Sequence, residues 1–138
     1  MPLAGFPSLC EEHQKEIISQ EHGRKHHAYN MDREWVTHYR IDGVVLTEGL
    51  RCDFLLINEK KEKAYLIELK GKNLLRAIKQ LAVTEEKLRY DLRGYKLFFR
   101  AVTSRTSTHD MREPLYRDFM LKWKKRFEHR NDLFTENI

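Results

Sequence analysis

The chain has 138 residues, of which 41% are apolar and 34% charged, so it can bury a core and global disorder is excluded. No apolar run approaches the roughly 20 residues that span a bilayer, and no basic segment followed by a long apolar stretch opens the chain. Neither a transmembrane helix nor a secretory leader is therefore expected, and no membrane partner. The formal charge of +5 is unevenly placed, with −3 over residues 1–50 and +8 over residues 51–138. A basic body of this kind suits a polyanion such as nucleic acid, or a solvated Lys-rich surface. Cys10 and Cys52 make neither a disulfide framework nor a four-cysteine zinc site, so a reducing cytoplasmic setting is expected.

In chain order, Ser8 with Glu11 resembles a capping box, and Cys10, His13, Ile17 and Ile18 lie on one face of a helix expected over 8–21. Residues 22–33 are polar and read as loop. Residues 35–46 read as extended, bent at Asp42-Gly43, and Glu48-Gly49 marks a turn. Two strong strands follow, over 51–58 and 64–70, joined by the charged turn 59–63. Asn73 can cap a helix carrying Leu74, Ala77, Ile78, Leu81, Leu88 and Leu92, which Gly94 stops. Residues 95–102 form another strand and 103–112 a polar loop. A last helix, 114–129, has Tyr116, Phe119, Met120, Trp123 and Phe127 as its apolar stripe and a basic outer face. The order α-β-β-β-α-β-α predicts a single α/β domain over 1–138, with a mixed central sheet flanked by helices.

The chemistry lies in the central hairpin. A turn symmetric about Lys60-Lys61 pairs Ala64 with Ile57, Leu66 with Leu55 and Glu68 with Asp53. Lys70 follows on the face of Glu68. Two opposed carboxylates interrupting apolar strands repel unless a cation neutralises them, and hard oxygen ligands suit Mg²⁺. An ion pair of Lys70 with either carboxylate is the structural alternative.

Asp53, then fourteen residues, then Glu68-Leu69-Lys70, within this element order, resembles the PD-(D/E)xK nuclease superfamily over roughly residues 8–102. The resemblance implies a restriction-endonuclease-like core, α-β-β-β-α-β, like that of small restriction-endonuclease or Holliday-junction-resolvase domains. It implies a Mg²⁺-dependent endo- or exonuclease, with Mn²⁺ able to substitute. Asp53, Glu68 and the Leu69 carbonyl would hold the metal, and Lys70 would orient the attacking water. Many members add an acid from the first helix. Glu12 and Glu16 are the candidates here, with Glu16 preferred. Gln80 matches a glutamine that some members carry on the next helix. Cys52 stands where the family has proline.

Lys72, Arg76 and Lys79 on that helix, Gln80, and Arg105 in a Thr/Ser loop are the expected nucleic-acid contacts. On family grounds DNA is favoured over RNA. Small members often act as homodimers, and a chain this short leaves room for a protein partner that supplies specificity. Two other readings stand beside this one. One is a catalytically silent module of the same fold, binding DNA or inhibiting a larger protein complex. The other is an RNA-directed nuclease. No zinc-type His or Cys pair, P-loop, dinucleotide fingerprint or nucleophile elbow is present in the sequence.

Overall fold

The computed structural model describes every residue except Met1, Lys70, Lys72 and Ser107. It is a mixed α/β fold of two sheets and two α-helices. Strands β1 (Glu16–Glu21) and β2 (Arg24–Tyr29) form a hairpin. The five-stranded sheet is built from β3 (Val36–Arg40), β4 (Phe54–Asn58), β5 (Lys63–Glu68), β6 (Lys96–Thr103) and β7 (Phe127–Asn131), in that spatial order. Helices α1 (Leu74–Leu88) and α2 (Pro114–Trp123) are the crossovers of its parallel pairs β5/β6 and β6/β7. Strand β8 (Leu133–Asn137) leaves this sheet and adds in parallel to β2.

The central hairpin has the register expected from its symmetric turn: Leu55 opposes Leu66 and Ile57 opposes Ala64. Both strands are buried on both faces. Leu55, Ile57, Ala64 and Leu66 pack against Leu74, Ala77, Ile78 and Leu81 of α1. Phe54, Leu56, Tyr65 and Ile67 pack against Ile17, Ala28 and Phe134 of the second sheet. The result is three layers, small sheet on large sheet on helices. Helix α1 starts where expected, with the Asn73 side chain accepting the Arg76 amide at 2.9 Å. No described helix is long and apolar enough to cross a membrane.

The two ends of the chain depart from the expectation. Residues 8–21 form no helix. Glu16–Glu21 is a strand whose burial alternates, with Ile17 and Ser19 inside. The signal for it is His22-Gly23, both at positive φ (49° and 79°), a two-residue turn whose twist suits a hairpin. The Ser8 hydroxyl accepts the amides of Cys10 and His38 instead of capping a helix. At the C-terminus α2 stops at Trp123, and residues 127–131 and 133–137 are strands. The aromatic stripe at helical spacing is real as far as Trp123. Phe127 is buried because β7 pairs with β6, a contact no local period encodes.

A buried polar network joins the two sheets. Arg100 of β6, 3% exposed, donates to both carboxylate oxygens of Glu136 on β8, at 2.8 and 3.0 Å. His26 Nε2 on β2 meets the same carboxylate at 2.6 Å. Burial pushes the Glu136 carboxyl up, but the bonds from His26 and Arg100 outweigh that and hold it below the usual range. Beside it His38 is buried, in contact with Ser19 Oγ at 2.9 Å and stacked on Phe54. Burial, then the neighbouring His26, push the His38 imidazole down to about 4.

A neutral His38 in the fold has a pH signature. The unfolded chain protonates near 6.5, the folded one only near 4, so this contribution is complete above pH 6.5 and is lost as pH falls toward 4. Chemical denaturation of wild type and His38→Gln at pH 7 and pH 5 is expected to show the wild type's advantage shrinking by about 2 kcal/mol. An unchanged difference would mean that His38 is not held neutral.

Candidate active site

Alternating strand directions bring the ends of β3, β5 and β6 and the start of β4 to one edge of the large sheet. The end of β1 lies over the same edge. There the backbone bulges: the Asp53 carbonyl accepts the amides of both Ile41 (2.9 Å) and Asp42 (3.4 Å), two residues against one. The bulge breaks the alternation expected for the hairpin. Cys52, which strict alternation would place on the face of Phe54 and Leu56, sits in the helix-side core with Leu55 and Ile57, its amide donating to Thr84 Oγ1 at 2.7 Å.

Asp53 is 5% exposed. Its Oδ2 accepts the Leu69 amide at 2.8 Å. Its other neighbours are Glu21, at the end of β1, and Arg40, whose Nη2 lies 4.0 Å from Oδ1. Arg40 also bonds Glu21 at 2.8 Å. Burial first, and then the Glu21 charge, push the Asp53 carboxyl up to about 6, against the Leu69 amide and Arg40, which pull it down. A nearby cation would favour the ionised form of Asp53 instead.

Glu68, at the end of β5, is fully buried and turned toward α1, where Gln80 Nε2 donates to its Oε2 at 3.2 Å and to the Arg51 carbonyl at 2.9 Å. The buried Gln80 Oε1 has no hydrogen-bond partner among the described residues. Asp53 and Glu68 thus flank the end of β5 from its two sides and do not share one face as expected. Both still act on the Cys52 thiol between them, pushed far up first by burial and then by these charges.

Two clefts open here. One, of about 310 Å³, is lined by Glu21, His22, Arg24, Asp42, Asp53 and Leu69. The other, about 150 Å³, is lined by Asp42, Gly49, Leu50, Arg51, Arg76 and Gln80. Asp42 borders both and accepts from Arg51 Nε at 2.7 Å, so it is more than the turn residue its position before Gly43 implied.

The other expected residues sort clearly. Gln80 is at the site, and Arg76 is on the rim of the smaller cleft. Lys79 is exposed on α1, away from both clefts. Arg105 is exposed, but its loop is tied to the site by the Ser104 amide, which donates to the Gly71 carbonyl at 2.6 Å. Lys70 and Lys72 lie outside the described residues. Glu16 is misplaced as a ligand: it pairs with His27 at 2.9 Å at the start of β1. That is about 17 Å along the strand from Glu21, the acidic residue that does lie beside Asp53. Glu12 is exposed and lies before the strand. Glu21 and Arg40 were not singled out from the sequence. The hairpin turn at His22-Gly23 is the signal that would have placed Glu21 at a strand end.

Among the described residues no three His, Cys, Asp or Glu side chains have metal-holding geometry. The carboxylates near this edge, Asp53 with Glu21 on one side of β5 and Glu68 on the other, are oxygen donors of the kind hard cations take.

The Asp53 carboxyl has a folded value above its unfolded one. Its contribution to stability is therefore present below the unfolded value near 4 and is lost as pH rises through about 6. Asp53→Asn, which keeps an acceptor for the Leu69 amide, is expected to stabilise the fold in EDTA at pH 7.5 by about 1–3 kcal/mol, and by little at pH 4.5. Destabilisation by equal amounts at both pH values would mean that the carboxylate is only a structural partner of Arg40 and Leu69. Comparison with protein-family models, with curated proteins and with solved structures found no match.

Proposed function

We propose that this protein is a metal-dependent nuclease that hydrolyses phosphodiester bonds in DNA. The observation that carries the reading is the pair of buried carboxylates, Asp53 and Glu68, brought to one end of the β4/β5 hairpin beside a further carboxylate, Glu21. Burying acidic groups together costs stability, and such costs concentrate at functional sites. The β-β-β-α-β run from β3 to β6 also matches the order of the PD-(D/E)xK core, with a hairpin in place of the first helix.

In this reading Asp53, Glu68 and the Leu69 carbonyl hold Mg²⁺ or Mn²⁺, and Glu21 completes the acidic wall. The metal, when bound, polarises the phosphate and lowers the pKa of a water. The Leu69 amide fixes the Asp53 carboxylate, and Gln80 fixes that of Glu68, so neither must reorganise. Arg40 offsets part of the negative charge. Lys70, one residue beyond Leu69, orients the attacking water. Arg24 and Arg76, on the rims of the two clefts, are placed for phosphate oxygens. Water gives up a proton and attacks phosphorus, the bond to the leaving deoxyribose oxygen breaks, and that oxygen takes a proton.

Cleavage of labelled single-stranded and duplex DNA in Mg²⁺ tests the reading. Asp53→Ala and Glu68→Gln are expected to lower the rate at least 10³-fold, and Gln80→Ala about tenfold. Calorimetric Mg²⁺ titration is expected to release a proton near pH 6, as the cation displaces the one on Asp53. A wild type that cleaves neither DNA nor RNA, with no Mg²⁺ bound even beside nucleic acid, would leave a binding module.

A further inference from the structure

The basic groups of this chain fall into two populations. Near the carboxylate edge two arginines are engaged, Arg40 with Glu21 and Arg51 with Asp42, while Arg24 and Arg76 line the clefts. At the opposite edge of the large sheet, where β6 begins and β7 is entered, six cations gather: Lys63, Lys96, Lys122, Lys124, Lys125 and Arg126. Among the described residues none of the six makes an ion pair. Five of them, with Trp123, line an open groove of about 560 Å³. Glu128, in the adjoining groove, is turned to Arg100 (3.4 Å) and Arg130 (3.6 Å).

Aromatic rings lie against four of these cations. Lys122 and Arg126 lie over the Trp123 ring at 5.3 and 5.1 Å, and Lys63 and Lys96 both lie 5.7 Å from the Phe98 centroid. Trp123 is itself set against Phe99 of the core, at 4.5 Å between ring centroids. Side chains ordered before binding lose less entropy on binding. Lys124 adds a second cost. It ends α2 at φ 53°, ψ −128°, a conformation suited to glycine and strained for lysine. Helices commonly place glycine just past such an end. A lysine kept there puts a charge at the groove at the expense of the backbone.

We infer that this groove is a second nucleic-acid contact, an anchoring surface for the sugar-phosphate backbone, about 23 Å along β6 from the carboxylate edge. The choice of nucleic acid as occupant rests on the nuclease reading of the carboxylate site; the unpaired charge does not. A surface that neutralises several phosphates releases their counterions, so binding through it weakens steeply with salt.

Fluorescence anisotropy with a labelled 30-nucleotide DNA, single-stranded and duplex, in EDTA tests this without cleavage. Lys122→Glu/Lys125→Glu, both exposed, is expected to weaken binding at least tenfold at 50 mM NaCl and to flatten the salt slope by about 2. Lys124→Gly is expected to weaken binding while raising Tm by roughly 2–4 °C, a pairing that a merely structural role would not give. Unchanged affinity and slope in the double variant would overturn the inference, as would a wild type that binds phosphatidylserine vesicles and not DNA. Failure of cleavage with this binding intact would instead overturn the nuclease reading alone.

Discussion

The antiparallel pairing of β4 with β5 is the constraint on which the rest of the molecule hangs. Every residue of β4, and all of β5 after Lys63, is buried, so the hairpin separates the two hydrophobic cores and belongs to both. A slip of one residue would turn each apolar side chain to the wrong core and carry Asp53 out of reach of the Leu69 amide. The register that packs the cores is thus the register that assembles the site.

The second sheet is tied on by polar as well as apolar contacts. Arg100 and Glu136 form a bidentate pair between the layers, with His26 on the same carboxylate. Removing one partner of such a buried pair commonly costs about 3–5 kcal/mol. The pair also fixes how β8 lies on β2. By anchoring β2 it holds β1, whose last residue, Glu21, reaches the site. The small sheet therefore serves the acidic edge without contributing to the central hairpin itself.

Charge is separated along the large sheet. Carboxylates buried beside arginines occupy the edge where β5 ends, and unpaired lysines occupy the edge where β6 begins. A net charge of +5 conveys nothing of this division. The acidic edge carries a desolvation cost and the basic edge a strained Lys124, both at places where the fold would be more stable without them.

Local sequence determined what local physics controls. The symmetric charged turn and the apolar runs on each side of it set the β4/β5 pairing, and with it the approach of Asp53 to Glu68-Leu69. Asn73 and the helical spacing from Leu74 onward set α1, and Gln80 on it. Only the tertiary structure decided the rest. Ile17 and Ile18 continue the face of Cys10 and His13, and Phe127 falls four residues after Trp123, so both segments suit a helix locally, while their strand partners, β2 and β6, are chosen by packing. The bulge that turns Asp53 toward Glu21 depends on Ile41 and Asp42, twelve and eleven residues away, meeting one carbonyl. Glu21 is legible as part of the site only once the small sheet is laid over the large one. Side-chain period is a property of a segment, whereas convergence on a site is a property of how segments stack.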